Sequence, residues 1–340
     1  MKIRTRLEFG LSGMLRAPLV AAGMLALAGG AASAQEKLTL RFDFLPYGSH
    51  APFYLAKEKG WFKDNGVEVS MDDGSGGAVT VQLVDAGKYD LGYLSQASSM
   101  VARDKGMRVV GIAGVLRKGD MGVLVEEKSD MTKPKDFEGK LIYFSPTSVE
   151  TLFIDTWFKR NNVDKSKVKL TSVDIATKVS TYLGGKGDGM FVPIPIYTIR
   201  QNIPRLSKGI LFDEFGLTLP GFGVIANEET IAKKPKAIAG FVAALQKAWA
   251  GIKDRSMIDE AVAALQKNRP QAKIDPVYIK QQMEAVIPYM DTPATKDKPL
   301  FWQSIDDWNA AIKNAVEAGV IKADSKPETF FTNQFIPGNK

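Results

Sequence analysis

Cysteine is absent from the 340 residues and histidine occurs once, as His50. The missing cysteines exclude disulfides, thiolate metal sites, thiol nucleophiles and the cysteine that a bacterial lipid anchor requires. One histidine cannot build a histidine metal cluster. A serine triad would have to use His50 as its base, yet no GxSxG nucleophile elbow is present. No Walker loop or dinucleotide fingerprint occurs either. Long apolar runs are also lacking: the run 17–28 is too short to span a bilayer comfortably, and nothing after it approaches that length. Excess charge is small. Lys2, Arg4, Arg6 and Arg16 against Glu8 account for +3 of the formal +7, leaving +4 for the remainder. Its basic residues alternate with acids, as on a solvated surface, so no nucleic-acid partner is expected. No metal and no cofactor are expected.

What is present is ordinary globular material, with 45% hydrophobic and 24% charged residues, in a length that suits about two domains. Residues 1–34 combine a basic start, an apolar stretch and Ala32-Ser33-Ala34. This reads as a secretory signal removed after Ala34, and it predicts a soluble, exported mature chain.

From residue 38 the pattern is strand then helix, repeated. LTLRFDF (38–44) alternates at period two, as a strand does. A turn through Pro46, Gly48 and Ser49 leads to His50. A helix follows with Pro52 in its first turn, closed at Gly60, and Trp61-Phe62-Lys63 forms an aromatic turn closed at Gly66. Val67 and Val69 start the next strand. Gly74-Ser-Gly-Gly77 then opens a helix to Gly87. Two readings of this loop stand: an anion or polar-oxygen site at a helix start, or a plain turn. Residues 89–94 form a strand, Ser95-Gln-Ala-Ser-Ser caps a helix, and 108–115 and 121–125 are further strands.

The polar stretch 128–140 marks a crossover, after which the rhythm restarts. Strand 141–144, turn Ser145-Pro-Thr147 and a helix 148–160 follow, with Thr147-Ser-Val-Glu150 matching a capping box. The same serines and threonine could instead serve a ligand. A strand 168–173, a helix 176–183, a strand near Phe191 and a helix from about Tyr197 come next. Strands 209–212 and 222–226 bring the chain back. Beyond Asn227 it is helical, near 257–267, 276–286 and 304–318, and offers no site chemistry. Carboxylates such as Asp43 and Glu150 could approach in space, but nothing in the sequence marks a catalytic pair. Binding without chemistry is the simplest reading.

HAPFYLAKEKGWFKDNGVEV, then DGSGGAVTVQLVDAGKYDLGY, then DFEGKLI, resembles the nitrate/sulfonate/taurine and thiamine-pyrimidine-precursor group of ABC-importer binding proteins. The likeness covers about 38–250 and fades in the C-terminal helices. It implies an α/β fold of the two-lobed periplasmic binding protein type (type II), each lobe a mixed sheet flanked by helices, with a helical C-terminal tail. Residues 35–127 plus 214–340 would form lobe 1, and 128–213 lobe 2. A small-molecule ligand would be captured between the lobes by hinge closure and the loaded protein, a monomer in the periplasm, presented to a membrane permease. Carried onto this chain, the first wall is Phe44, Tyr47 and His50, with Gly76, Gly77 and Ala78 at a helix start and Ser95 and Gln96 beside them. The second wall is Ser145, Thr147 and Ser148, with Phe191 and Pro193. Helix starts suit an anion such as sulfonate or nitrate, while Phe44, Tyr47 and Tyr143 suit a flat ring. The H-A-P context of His50 is more like the pyrimidine branch. A second class remains: fungal pyrimidine-forming enzymes share this fold and use pyridoxal phosphate with an iron-binding cysteine cluster, which a cysteine-free exported chain does not match. A secreted degradative enzyme is a further alternative.

Overall fold

The computed structural model describes residues 35–198 and 205–338. The signal sequence read over 1–34, and most of the helix expected from Tyr197, lie outside those residues.

The strands are β1 (Glu36–Phe42), β2 (Val67–Asp72), β3 (Leu91–Ser95), β4 (Val109–Gly114), β5 (Met121–Glu126), β6 (Leu141–Phe144), β7 (Lys169–Ser172), β8 (Gly189–Pro193), β9 (Ser207–Leu211) and β10 (Phe222–Asn227). They form two five-stranded sheets among the described residues, ordered β2-β1-β3-β10-β4 and β7-β6-β8-β5-β9. β1 runs parallel to β2 and β3, while β10 is antiparallel to β3 and β4. The second sheet repeats this plan. β6 is parallel to β7 and β8, and β5 enters antiparallel between β8 and β9.

Strand composition follows position. The outer strand β2, VEVSMD, alternates buried and exposed residues, because only one face is covered. The inner strands β3 and β10 are buried at every residue, and their sequences are correspondingly apolar.

The helices are α1 (Ala51–Glu58), α2 (Trp61–Asp64), α3 (Gly77–Asp85), α4 (Gln96–Asp104), α5 (Ile154–Arg160), α6 (Ile175–Leu183), α7 (Glu228–Lys233), α8 (Pro235–Lys253), α9 (Ile258–Asn268), α10 (Pro276–Val286) and α11 (Ile305–Glu317). Gly60 and Gly66, both at positive φ, bracket α2, so the expected aromatic turn is a short helix. α8 and α9 pack on α1, beside the first sheet. The C-terminal aromatics also pack inward, with Trp308 stacked on Phe330 and Phe331.

One boundary differs from expectation. β5 pairs with β8 and β9 of the second sheet, whereas its residues had been assigned with the first. The chain therefore crosses between sheets over 115–120, before the polar stretch that suggested a crossover. Continuous apolar strands gave no sign of the break; its markers are Gly119 and Asp120.

The return crossing, 212–221, lies against the outward one. The Val115 and Leu116 N–H groups both donate to the Phe222 carbonyl, at 3.0 and 2.8 Å. A Cβ on Gly221 would stand 2.3 Å from the Leu116 carbonyl oxygen, and one on Gly119 2.6 Å from that of Leu219. Both glycines are required by backbone contact. Gly221→Ala should cost about 1–3 kcal/mol through forced displacement of that backbone, read as a lower urea midpoint; an unchanged midpoint would show that the two crossings tolerate separation.

Candidate ligand-binding cleft

A cavity of about 310 Å³ opens between the two sheets. It lies at the carboxyl ends of the parallel strands β1, β3, β6 and β8, the place where open α/β sheets leave room for ligands.

The first wall is built where the chain leaves β1. Residues 42–44 are lashed to the glycine loop by three hydrogen bonds: Gly74 N–H to the Phe44 carbonyl (3.1 Å), Gly76 N–H to that of Asp43 (2.7 Å) and Thr80 Oγ1 to that of Phe42 (2.8 Å). A Cβ on Gly74 would fall 2.1 Å from the Phe42 oxygen, and Gly76 has φ 122°. The loop is thus a close backbone junction as well as a helix start. The N–H groups of Gly77 and Ala78 have no protein acceptor among the described residues, so α3 presents two donors to the cleft.

Asp43 is the polar centre of this wall. Its Oδ1 accepts from the Tyr47 hydroxyl at 3.2 Å and from His50 Nε2 at 3.1 Å. His50 is fully buried, stacked 4.0 Å from Phe42 and packed 4.0 Å from Tyr47. Burial lowers its pKa, so the ring is neutral, and its proton sits on Nε2 because a carboxylate can only accept. Burial and the nearby Asp43 charge raise the Tyr47 pKa well above the usual phenol range, keeping that hydroxyl a donor. Oδ2 takes no donor from the described residues, and Asp43 lines the cavity.

The second wall is Thr147, Ser148, Val149 and Glu150, backed by α6. Glu150 pairs with Lys178 on α6 at 3.1 Å, and Lys178 also donates to the Phe191 carbonyl at 2.6 Å. Both side chains are 4% exposed or less. This pair replaces the capping box expected from Thr147 to Glu150: the N-cap is Ser148, which makes no side-chain cap, Glu150 is drawn to the buried ammonium, and the helix starts as a 3-10 turn, Val149–Phe153.

α10 closes one end. Gln282 accepts from the Gly48 N–H at 2.7 Å and donates to the Ile196 carbonyl at 2.9 Å, bridging the first wall to the segment after β8. Tyr278 and Gln282 both line the cavity, so the C-terminal half does contribute to the site. Their sequence signal was weak, because a Tyr and a Gln four residues apart on an amphipathic helix read as its ordinary polar edge.

The cavity brings together Phe44, Tyr47, Gly76, Gly77, Ala78, Ser95, Thr147, Ser148 and Pro193. Four expected residues stand elsewhere. His50 lies behind Tyr47 and holds Asp43. Gln96 points its Nε2 to the Ala113 carbonyl of β4 at 3.3 Å. Ser145 is buried and spends its hydroxyl on the Val173 carbonyl at 2.7 Å. The Phe191 ring packs in the second lobe's core with Trp157 and Phe212, while Val192 and Pro193 line the cleft. Tyr143 likewise packs under Gly187, whose Cβ would meet it at 2.5 Å.

Three charged residues line the cavity: Asp43, Glu150 and Lys178. Beneath it Asp120 is buried at 1% exposure, and burial pushes its carboxyl up to about 7. Among the described residues the lining therefore carries two carboxylates and one ammonium, and that ammonium is already paired.

The model of the family described as NMT1/THI5 like matches residues 48–255. The chain belongs to the NMT1/THI5-like family. Within reach of that family, it is 22% identical to the formylaminopyrimidine-binding protein of Halalkalibacterium halodurans, over 82% of this chain and 84% of the other. It is 22% identical to the 4-amino-5-hydroxymethyl-2-methylpyrimidine phosphate synthase of Aspergillus parasiticus, covering 88% and 87%. In fold it is similar to the alkanesulfonate-binding protein SsuA of Xanthomonas axonopodis pv. citri, with TM-score 0.63, 13% identity and coverage of 87% and 98%. The two mixed sheets flanked by helices are those of the periplasmic binding protein fold.

For this NMT1/THI5-like chain, His50→Ala should cost about 3–5 kcal/mol, as for a buried aromatic ring replaced by a cavity, measured by urea unfolding. A stability within a few tenths of a kcal/mol of the parent would mean the ring is not packed as described.

Proposed function

We propose that this chain is the periplasmic solute-binding component of an ABC importer, capturing a small ring-containing solute that carries N–H donors. The observation that carries this reading is the cleft's charge. Among the described residues that line it are two carboxylates, Asp43 and Glu150, and one lysine that Glu150 already neutralises. A free sulfonate or nitrate would meet net negative charge there, whereas a nitrogen heterocycle would find acceptors. Phe44, Tyr47 and Tyr197 offer aromatic faces, and the Gly77 and Ala78 N–H groups suit a carbonyl or hydroxyl oxygen on the same molecule. The relative named for formylaminopyrimidine binding points the same way.

Residues 35–114 with 222–338 act as lobe 1 and 121–211 as lobe 2, joined by the two crossings. A ligand that touches both walls favours the closed state by its additional contacts there. The closed, loaded monomer is what the membrane permease receives, after export directed by residues 1–34.

An enzymatic reading is kept in view by the synthase relatives. A pyridoxal phosphate and iron-cluster chemistry fits these residues poorly. No cysteine exists to ligate iron, no group of three His, Cys, Asp or Glu among the described residues could hold a metal, and Lys178 is an ion-paired ammonium rather than a free amine. Saturable binding without turnover is therefore expected.

The test is a thermal-shift and calorimetric screen of aminopyrimidines, aliphatic sulfonates and nitrate, with native mass spectrometry of protein taken from cells. Aminopyrimidines should bind and remain unchanged. Asp43→Asn should weaken them about tenfold or more, the scale of a charge-assisted hydrogen bond lost. Preferential binding of nitrate or a sulfonate, or consumption of the pyrimidine, would overturn the proposal.

A further inference from the structure

The cleft holds two carboxylate oxygens with nothing to accept from. Asp43 gives Oδ1 to Tyr47 and His50, and Glu150 gives Oε1 to Lys178. Oδ2 of the first and Oε2 of the second take no donor among the described residues. Neither is sealed from water, as the idle oxygens of Asp120 are. Both residues line the cavity. Asp43 stands past the end of β1, in the first sheet's wall, and Glu150 past the end of β6, in the second's. The two idle oxygens therefore belong to opposite walls of one cleft.

Their fields converge. Burial raises the pKa of Tyr197, and the charges of Tyr278, Asp43 and Glu150 add to the effect. One phenol hydroxyl at the cavity thus lies within reach of carboxylates from both walls. Tyr47, Tyr197 and Tyr278 line the same space, and aromatic rings attract cations placed over their faces. Among the described lining residues Lys178 is one positive charge against the two negative charges of Asp43 and Glu150, which leaves −1. Lys178 has nothing further to give, because its ammonium is held by Glu150 and by the Phe191 carbonyl.

We infer that the solute is bound as a planar monocation whose N–H groups point in opposite directions, one to Asp43 Oδ2 and one to Glu150 Oε2. The cation arrives already protonated from solvent, so no proton changes hands in the cleft. It makes a charge-assisted hydrogen bond to each wall, and Glu150 is shared between the solute and Lys178. Contacts to both walls at once exist only when the walls are near each other, which is what shifts the population to the closed state. The inference rests on the nitrogen-heterocycle class proposed above and adds its charge and its two anchors.

The test compares two rings of the same shape by calorimetry at neutral pH. One is 4-aminopyridine, a pyridinium under those conditions, with its ring N–H and amino group at opposite ends. The other is aniline, neutral and with a single amino group. The wild type should bind the pyridinium about tenfold or more tighter than aniline. Asp43→Asn, whose amide oxygen can still accept from Tyr47 and His50, should lose most of that preference. So should Glu150→Gln combined with Lys178→Met, which removes the buried pair whole and leaves no unpaired ammonium. A merely structural defect would weaken both rings together and keep their ratio. Equal affinity of the wild type for the two rings, or an undiminished ratio in the variants, would overturn the inference and leave the ligand class standing. If neither ring binds but neutral aminopyrimidines do, the charge assigned to the solute is wrong. If no aminopyrimidine binds either, the proposed class fails with it. Should the double variant not fold, Asp43→Asn and the wild type decide.

Discussion

One carboxylate oxygen organises the first wall. Asp43 Oδ1 takes two donors, a tyrosine hydroxyl and a neutral imidazole, and the imidazole is packed between Phe42 and the same tyrosine. The rest of the wall depends on that clasp. It turns the chain at the end of β1, sets the Tyr47 ring on the cavity and leaves Oδ2 unspent. The glycine loop can cross so close to residues 42–44 only because nothing projects from Gly74. Removing the imidazole would loosen the acceptor without touching the cavity surface, so His50 acts by positioning.

The opposite wall solves a different problem. Glu150 and Lys178 sit beneath the cleft nearly free of water. A buried pair of this kind is weak as a source of stability, since desolvation offsets much of the attraction. It can instead fix geometry, because the ammonium donates to Glu150 and the Phe191 carbonyl at once. The pair ties α6 to β8 and to the turn after β6, where an ordinary helix cap would have tied the turn only to itself. The price of that arrangement is a cleft without a free cation among the described residues.

Much of the fold could be read from the sequence, since it rests on local rules. Alternation marked β1 and β2, glycines at positive φ ended α1 and α2, and helical spacing marked α8 to α11. The resemblance in 50–69 and 73–93 covers part of the first wall, including the glycine loop at Gly76 to Ala78. What failed depends on contacts distant in sequence. Ser145 is held by the Val173 carbonyl and the Phe191 ring by the core around Trp157, partners far away in the sequence. Gln96 is taken by the Ala113 carbonyl of β4. Asp120, Lys178 and Gln282 became visible only once segments far apart in the chain were assembled, and a lone histidine drew attention that belonged to the aspartate in front of it.

Gln282 is bonded to backbone on both sides, at Gly48 and at Ile196, through one amide. A side chain that touches two bodies can survive their relative motion only if it lies near the axis of that motion, where displacements are small. Both bonds are to groups with no freedom of their own, so the amide acts as a fulcrum. Any rotation of one wall against the other would then turn about this amide, and the wall residues nearest to it would move least.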